Sequence, residues 1–166
     1  MHILCIVLLW VGISYSQSTQ PLFFLQRNVN TNKVYYEARI DTNGALDNRE
    51  PVHVYWILWA KDSTGKTHEE LNLLEKNMAY GLKLRRDNKT NMLSINLVAF
   101  PQRIISVVLE NGMAKARTSI DGRVSYLERV HINSRETKMF PMVNYIELFG
   151  ADVKNGEGRY EKIFPK

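Results

Sequence analysis

Short runs rich in β-branched and aromatic residues recur along the chain, divided by turn signals that include Asx-Gly pairs. That pattern predicts strands at Phe23–Val29, Val34–Asp41, Val52–Trp59, Met92–Phe100, Ile104–Glu110, Met113–Ile120, Arg123–Asn133 and Val143–Phe149. One stretch departs from it. Between Glu69 and Ala79, Leu71, Leu74 and Met78 recur at helical spacing, which predicts a single helix with one buried face.

Two turns set a register. Asn111-Gly112 and Asp121-Gly122 suit two-residue hairpins, so Glu110 should pair with Met113 and Ile120 with Arg123. Counting outward puts Ile105, Val107, Leu109, Ala114, Ala116, Thr118 and Leu127 on one face, the core face. The other face takes Ser106, Lys115, Arg117, Ser119, Tyr126 and Glu128, with Lys115 opposite Glu128 and Arg117 opposite Tyr126. The same count carries Arg129 onto the core face opposite Ala114, with His131 two residues beyond; the pair lies either past the end of the core with both heads in water or at a polar site inside a barrel mouth.

About eight strands and one helix, without repeat or linker, make a mainly β fold: an antiparallel barrel in preference to a sandwich, because closure protects edges that would otherwise stay unpaired. One domain, residues 17–166, is expected after a leader at residues 1–16. Ile3 to Ile13 is an 11-residue apolar run ending near Ser14-Tyr15-Ser16, too short to span a bilayer and suited to a signal peptide. The expected location is therefore secreted, extracellular or periplasmic, with no transmembrane segment after signal removal. The only sequon for N-glycosylation is Asn88-Lys89-Thr90, in a polar stretch that reads as a loop tip.

Composition narrows the chemistry further. Of 166 residues, 45% are hydrophobic and 23% charged, as in a globular domain. The one cysteine, Cys5, lies in the leader, which excludes disulfide scaffolds, thiolate metal sites and cysteine nucleophiles from the mature chain. His53, His68 and His131 lack the spacing of a helical zinc site, and no G-x-S-x-G elbow is present. Neither a metal nor another cofactor is expected. Ala60-Lys61-Asp62-Ser63-Thr64-Gly65-Lys66-Thr67 approximates a phosphate-binding loop, but hairpins and one helix do not supply the parallel sheet such a loop serves. The loops around Asp41 and Asp152 carry oxygens at calcium-like spacings that ordinary turns explain. The net charge of +5 is concentrated in residues 76–117, which carry eight basic side chains against Asp87 and Glu110. A polyanionic surface is one partner this allows, while export and the lack of any recognisable motif argue against nucleic acid.

Several segments carry a resemblance: Arg27-Asn28-Val29-Asn30, Val34-Tyr35-Tyr36-Glu37-Ala38-Arg39, Pro51 with Tyr55-Trp56, and Ala79-Tyr80-Gly81. Ala99-Phe100-Pro101, Leu127-Glu128-Arg129-Val130 and Tyr145-Ile146-Glu147-Leu148-Phe149-Gly150 continue it. In this order they resemble the exported family catalogued as domain of unknown function 4833, over roughly Leu22 to Pro165. The resemblance implies one exported domain and carries no activity with it.

Three functional readings follow. The first is a non-enzymatic module that binds a small molecule inside the barrel. The second is a surface protein that binds polyanions through residues 76–117. The third is an enzyme, a hydrolase, built on Arg129, His131 and Glu147. The candidate ligand site comprises Arg129, His131, Glu147, Trp56 and Tyr145. Trp56, on the more apolar side of its strand, forms the inner wall, and Tyr145 shares a strand side with Glu147. Glu147 is expected to hold a buried Arg129, because a buried guanidinium without a carboxylate costs several kcal/mol.

Overall fold

A computed structural model describes residues 18–28, 31–87, 92–135 and 142–165. The expected leader, residues 1–16, and the sequon at Asn88 lie outside the described residues.

Among the described residues, eleven strands form one curled, mixed sheet, a half-barrel. In chain order they are β1 (Ser18–Arg27), β2 (Lys33–Ile40), β3 (Val52–Ile57), β4 (His68–Glu70), β5 (Leu82–Arg86), β6 (Leu93–Leu97), β7 (Phe100–Glu110), β8 (Met113–Ile120), β9 (Arg123–Arg135), β10 (Met142–Asp152) and β11 (Gly158–Ile163). The helix α1 (Leu73–Met78) connects β4 to β5. The sheet runs β4-β3-β2-β1-β9-β8-β7-β6-β5, and β10 pairs with β9 and carries β11 on its other side. The two ends of the main path are β4 and β5, so the sheet curls without closing and the connection through α1 spans its two edges.

The hairpin arithmetic holds at both turns. Glu110 pairs with Met113, Ile120 with Arg123 and Arg117 with Tyr126. Asn111, Gly112, Asp121 and Gly122 all have positive φ, the conformation that matches the twist of a tight hairpin. Ile105, Val107, Ala114, Ala116, Thr118 and Leu127 are buried as the register requires, whereas Leu109 is exposed near the hairpin tip.

Past Tyr126 the register changes. Gly150 of β10 pairs with Leu127 and Phe149 with Arg129, which leaves Glu128 as an extra residue, a β-bulge. A one-residue slip sends every later side chain to the opposite face. Leu127 points inward, and beyond the bulge Val130, Ile132 and Ser134 do so instead. Arg129 and His131 therefore lie on the outer face, contrary to the expected core-face position. Arg129 faces Phe24 of β1, which pairs with β9 in parallel, rather than Ala114. Lys115 and Glu128 are likewise not partners, because the β8–β9 pairing ends at Arg117–Tyr126.

The core fills the concave side. Tyr36, Leu25, Ile95, Ile105, Leu127 and Leu148 are all but inaccessible. Tyr36 stacks on Phe23 with ring centroids 4.4 Å apart and donates its hydroxyl to the Tyr80 carbonyl at 2.8 Å. Complete burial drives its phenol pKa far above the ordinary value.

Three strands were not anticipated. β4 and α1 together occupy the expected helix, and β5 and β11 are edge strands whose sequences are mostly polar. Asn72 and Glu75 form a capping box that starts α1 after Leu71. Thus Leu71 is buried outside the helix, and no helical residue is buried.

Gly150, opposite the bulge, lies close against β9: a Cβ there would stand 1.9 Å from the Tyr126 carbonyl oxygen. Gly150→Ala should accordingly cost about 1–3 kcal/mol through forced backbone displacement. The check is urea unfolding, with a lowered midpoint expected; an unchanged midpoint would mean the bulge yields freely.

Candidate functional site

One end of the half-barrel holds a cavity of about 870 Å³. Its walls come from the C-terminal ends of β1 and β9 (Arg27, Ile132), the start of β10 (Val143), Trp56 and Leu58 around the end of β3, and the α1 segment (Leu74, Glu75, Met78, Ala79, Tyr80). A second bulge shapes this wall. Val143 pairs with Ser134 and Tyr145 with Asn133, so Asn144 is the extra residue that lets Val143 face the cavity while Tyr145 faces out.

Trp56 stands where the alternation along β3 places it, packed against the core. Its ring meets Tyr80 edge-on at 4.9 Å, and its indole N–H donates to Glu75 Oε1 at 3.2 Å. Glu75 thus joins the cavity wall to the helix cap, since its other oxygen accepts the Asn72 N–H at 2.9 Å. Across the cavity, Arg27 Nη2 donates to Ser134 Oγ at 2.9 Å. Asn28 fixes this corner. Its side-chain amide both accepts from the Ser134 N–H and donates to the Ser134 carbonyl, each at 2.6 Å, which extends the β1–β9 ladder by a side chain.

Arg129, His131, Glu147 and Tyr145 lie on the opposite, outer face of the sheet from Trp56. The expected site is therefore divided by the sheet itself. Arg129 does not pair with Glu147; its guanidinium lies 3.8 Å from the Phe149 ring centre, a contact worth about 0.5–1 kcal/mol at a partly exposed position. It belongs to a row of direct register partners: Tyr55, Tyr35, Phe24, Arg129, Phe149 and Tyr160. Neighbouring rings stack at 5.6 Å for Phe24–Tyr35 and 6.1 Å for Tyr35–Tyr55. Ring faces turned toward each other stabilise the sheet and leave edges for solvent.

Beside this row runs a polar one, Lys33, Gln26, His131, Glu147 and Lys162. His131 Nδ1 is 2.6 Å from Glu147 Oε2, its Nε2 is 3.2 Å from the Asn28 carbonyl, and Tyr160 donates to Glu147 Oε1 at 2.7 Å. Both ring nitrogens of His131 thus lie within hydrogen-bonding distance of protein oxygens. Lys162 Nζ lies 3.6 Å over Tyr145.

The other sequence candidates have structural explanations. Residues 60–67 form the loop of the β3–β4 hairpin, and Asp62 accepts the N–H groups of Thr64 and Lys66 that a phosphate would need. Asp41 and Asp152 likewise accept N–H groups of their own turns, and Asp152 also takes Arg159. Among the described residues no cluster of three or more potential ligands is placed to hold a metal ion. Among the described basic residues of the segment, Arg103 pairs with Glu161 and Arg117 with Glu110, while Lys83 and Arg85 are exposed on edge strand β5. Charges there discourage pairing with another chain. No helix among the described residues is long and apolar enough to cross a membrane.

A family model described as a domain of unknown function, DUF4833, matches residues 23–162. The chain belongs to that family. No curated protein and no solved structure matches it. In this DUF4833 domain the cavity residues absent from the expected site are Arg27, Glu75 and Tyr80, the first and last of which lie in segments that carry the family resemblance. The Asn72-x-x-Glu75 capping box was the available signal, because it moves the helix start and turns Leu74 and Met78 toward the cavity.

Burial opposes ionisation of Glu147, but hydrogen bonds from Tyr160 and His131 and the charges of His131 and Lys162 outweigh it and hold the carboxyl below its usual range. A depressed folded-state pKa gives stability that is present above the unfolded value, about 4.3, and is lost as pH falls through the folded one. Glu147→Gln should thus lower stability at pH 7 and flatten its decline on acidification, measured by urea midpoints from pH 7 to pH 3. An unaltered decline would show that Glu147 is not held in this way.

Proposed function

We propose that the domain is an exported, non-enzymatic binding module that takes a small molecule with a substantial apolar part in the cavity at the mouth of the half-barrel. The observation that carries this is the state of α1. Leu73, Leu74 and Met78 are 79%, 67% and 58% exposed, and the last two line the cavity instead of covering the core. Covering such a side chain contributes about 1.5–3 kcal/mol when complete, so an apolar occupant would gain part of that from each. The volume lies within the range of small-molecule sites, and the walls are mainly apolar with a few polar groups. The leader-like run Ile3 to Ile13 supports export.

The test uses N-phenyl-1-naphthylamine, whose fluorescence rises in apolar surroundings. The full chain should enhance it, and decanol should displace it. Leu74→Asp lies at an exposed position, where stability is expected to change by no more than about 0.5 kcal/mol, yet it should weaken probe binding about tenfold or more. Absence of enhancement, or equal affinity in the variant, would contradict the proposal.

A further inference from the structure

We infer that the cavity takes a single-chain amphiphile with a carboxylate head, and that Arg27 binds the head. This rests on the cavity reading above and adds the ligand's chemical class. Arg27 is on the cavity wall, and among the described residues it forms no ion pair; the polar partner of its guanidinium is the neutral Ser134 hydroxyl. A guanidinium has five N–H donors in a planar fork, so most of its donor capacity stays open, in a geometry that matches a carboxylate.

The acidic groups of the cavity are differently placed. Both Glu75 oxygens accept hydrogen bonds, from Trp56 and from the Asn72 backbone, and Glu69 lies 3.6 Å from Lys61. The carboxylates on the α1 side are thus already engaged, while the cation on the β1–β9 side retains room for an anion. Between these walls lie Leu58, Ile132 and Val143, with Leu74 and Met78 from the helix. A charged head at Arg27 and an alkyl chain running toward α1 satisfy both parts, whereas a wholly neutral ligand would leave the guanidinium facing an apolar group.

The experiment is displacement of N-phenyl-1-naphthylamine from the full chain by decanoate, decanol and decylamine, repeated with Arg27→Leu and Arg27→Lys. Decanoate should bind about tenfold or more tighter than decanol, the gain of a hydrogen bond to a charged group. Arg27→Leu should abolish that preference and leave decanol within about twofold. Arg27→Lys, which keeps the charge and loses the fork, should restore part of it. Decylamine outcompeting decanoate, or an intact decanoate preference in Arg27→Leu, would overturn the assignment of the head while decanol binding still upheld the cavity. If Arg27→Leu does not fold, a preference in Arg27→Lys equal to that of the unmodified chain decides against the fork. Failure of all three compounds to bind would overturn both the cavity reading and this one.

Discussion

The extra residue at Glu128 decides what the half-barrel can hold. Without it, the hairpin register would carry straight along β9 and turn Arg129 and His131 to the core face, Arg129 opposite Ala114. With it, the two polar side chains move outside and Val130, Ile132 and Ser134 move in. The same position marks a change of neighbour. β9 pairs with β8 over Arg123–Tyr126 and with β1 over Arg129–Ile132. One long strand thus serves two partners along one edge, and its phase change at Glu128 falls between them.

The consequences reach the cavity. Ile132 forms part of its wall, and Ser134 receives the Arg27 guanidinium, because both lie beyond the bulge on the inward phase. On the neighbouring strand the bulge at Asn144 turns Val143 inward in the same way. Opposite them, the capping box ends β4's segment with one short helix whose apolar side chains have no core to cover. The outer face has a different character. Its aromatic row and the His131–Glu147–Tyr160 group have their faces and polar atoms turned to one another. The buried core lies on the inner side, and exposed apolar side chains of α1 gather at the mouth.

Much of this was legible in the sequence where local chemistry fixes geometry. Asn111-Gly112 and Asp121-Gly122 dictate tight turns, and from them the pairing through Tyr126 follows by counting. Alternation along β3 likewise placed Trp56 inward. The bulge was not legible, since it arises from pairing with β1 and β10, segments distant in the chain, and no turn residue announces it. Arg129 and His131 were misplaced for that reason alone. β5 has the alternation Leu82, Leu84 against Lys83, Arg85, but its charge drew the reading toward a binding patch when an edge strand needs such charges for its own protection. The helical spacing of Leu71, Leu74 and Met78 alone puts the helix start four residues too early, because the cap at Asn72 sets it.

The central claim is that the cavity between Arg27 and α1 is a site for an amphiphile and not a gap in packing. A crystal structure of the full chain grown with decanoate tests it most directly. The account predicts the carboxylate within hydrogen-bonding distance of the Arg27 guanidinium and the alkyl chain against Leu74 and Met78. A cavity filled by the chain's own side chains, with decanoate absent or lying head-first toward Glu75, would contradict it.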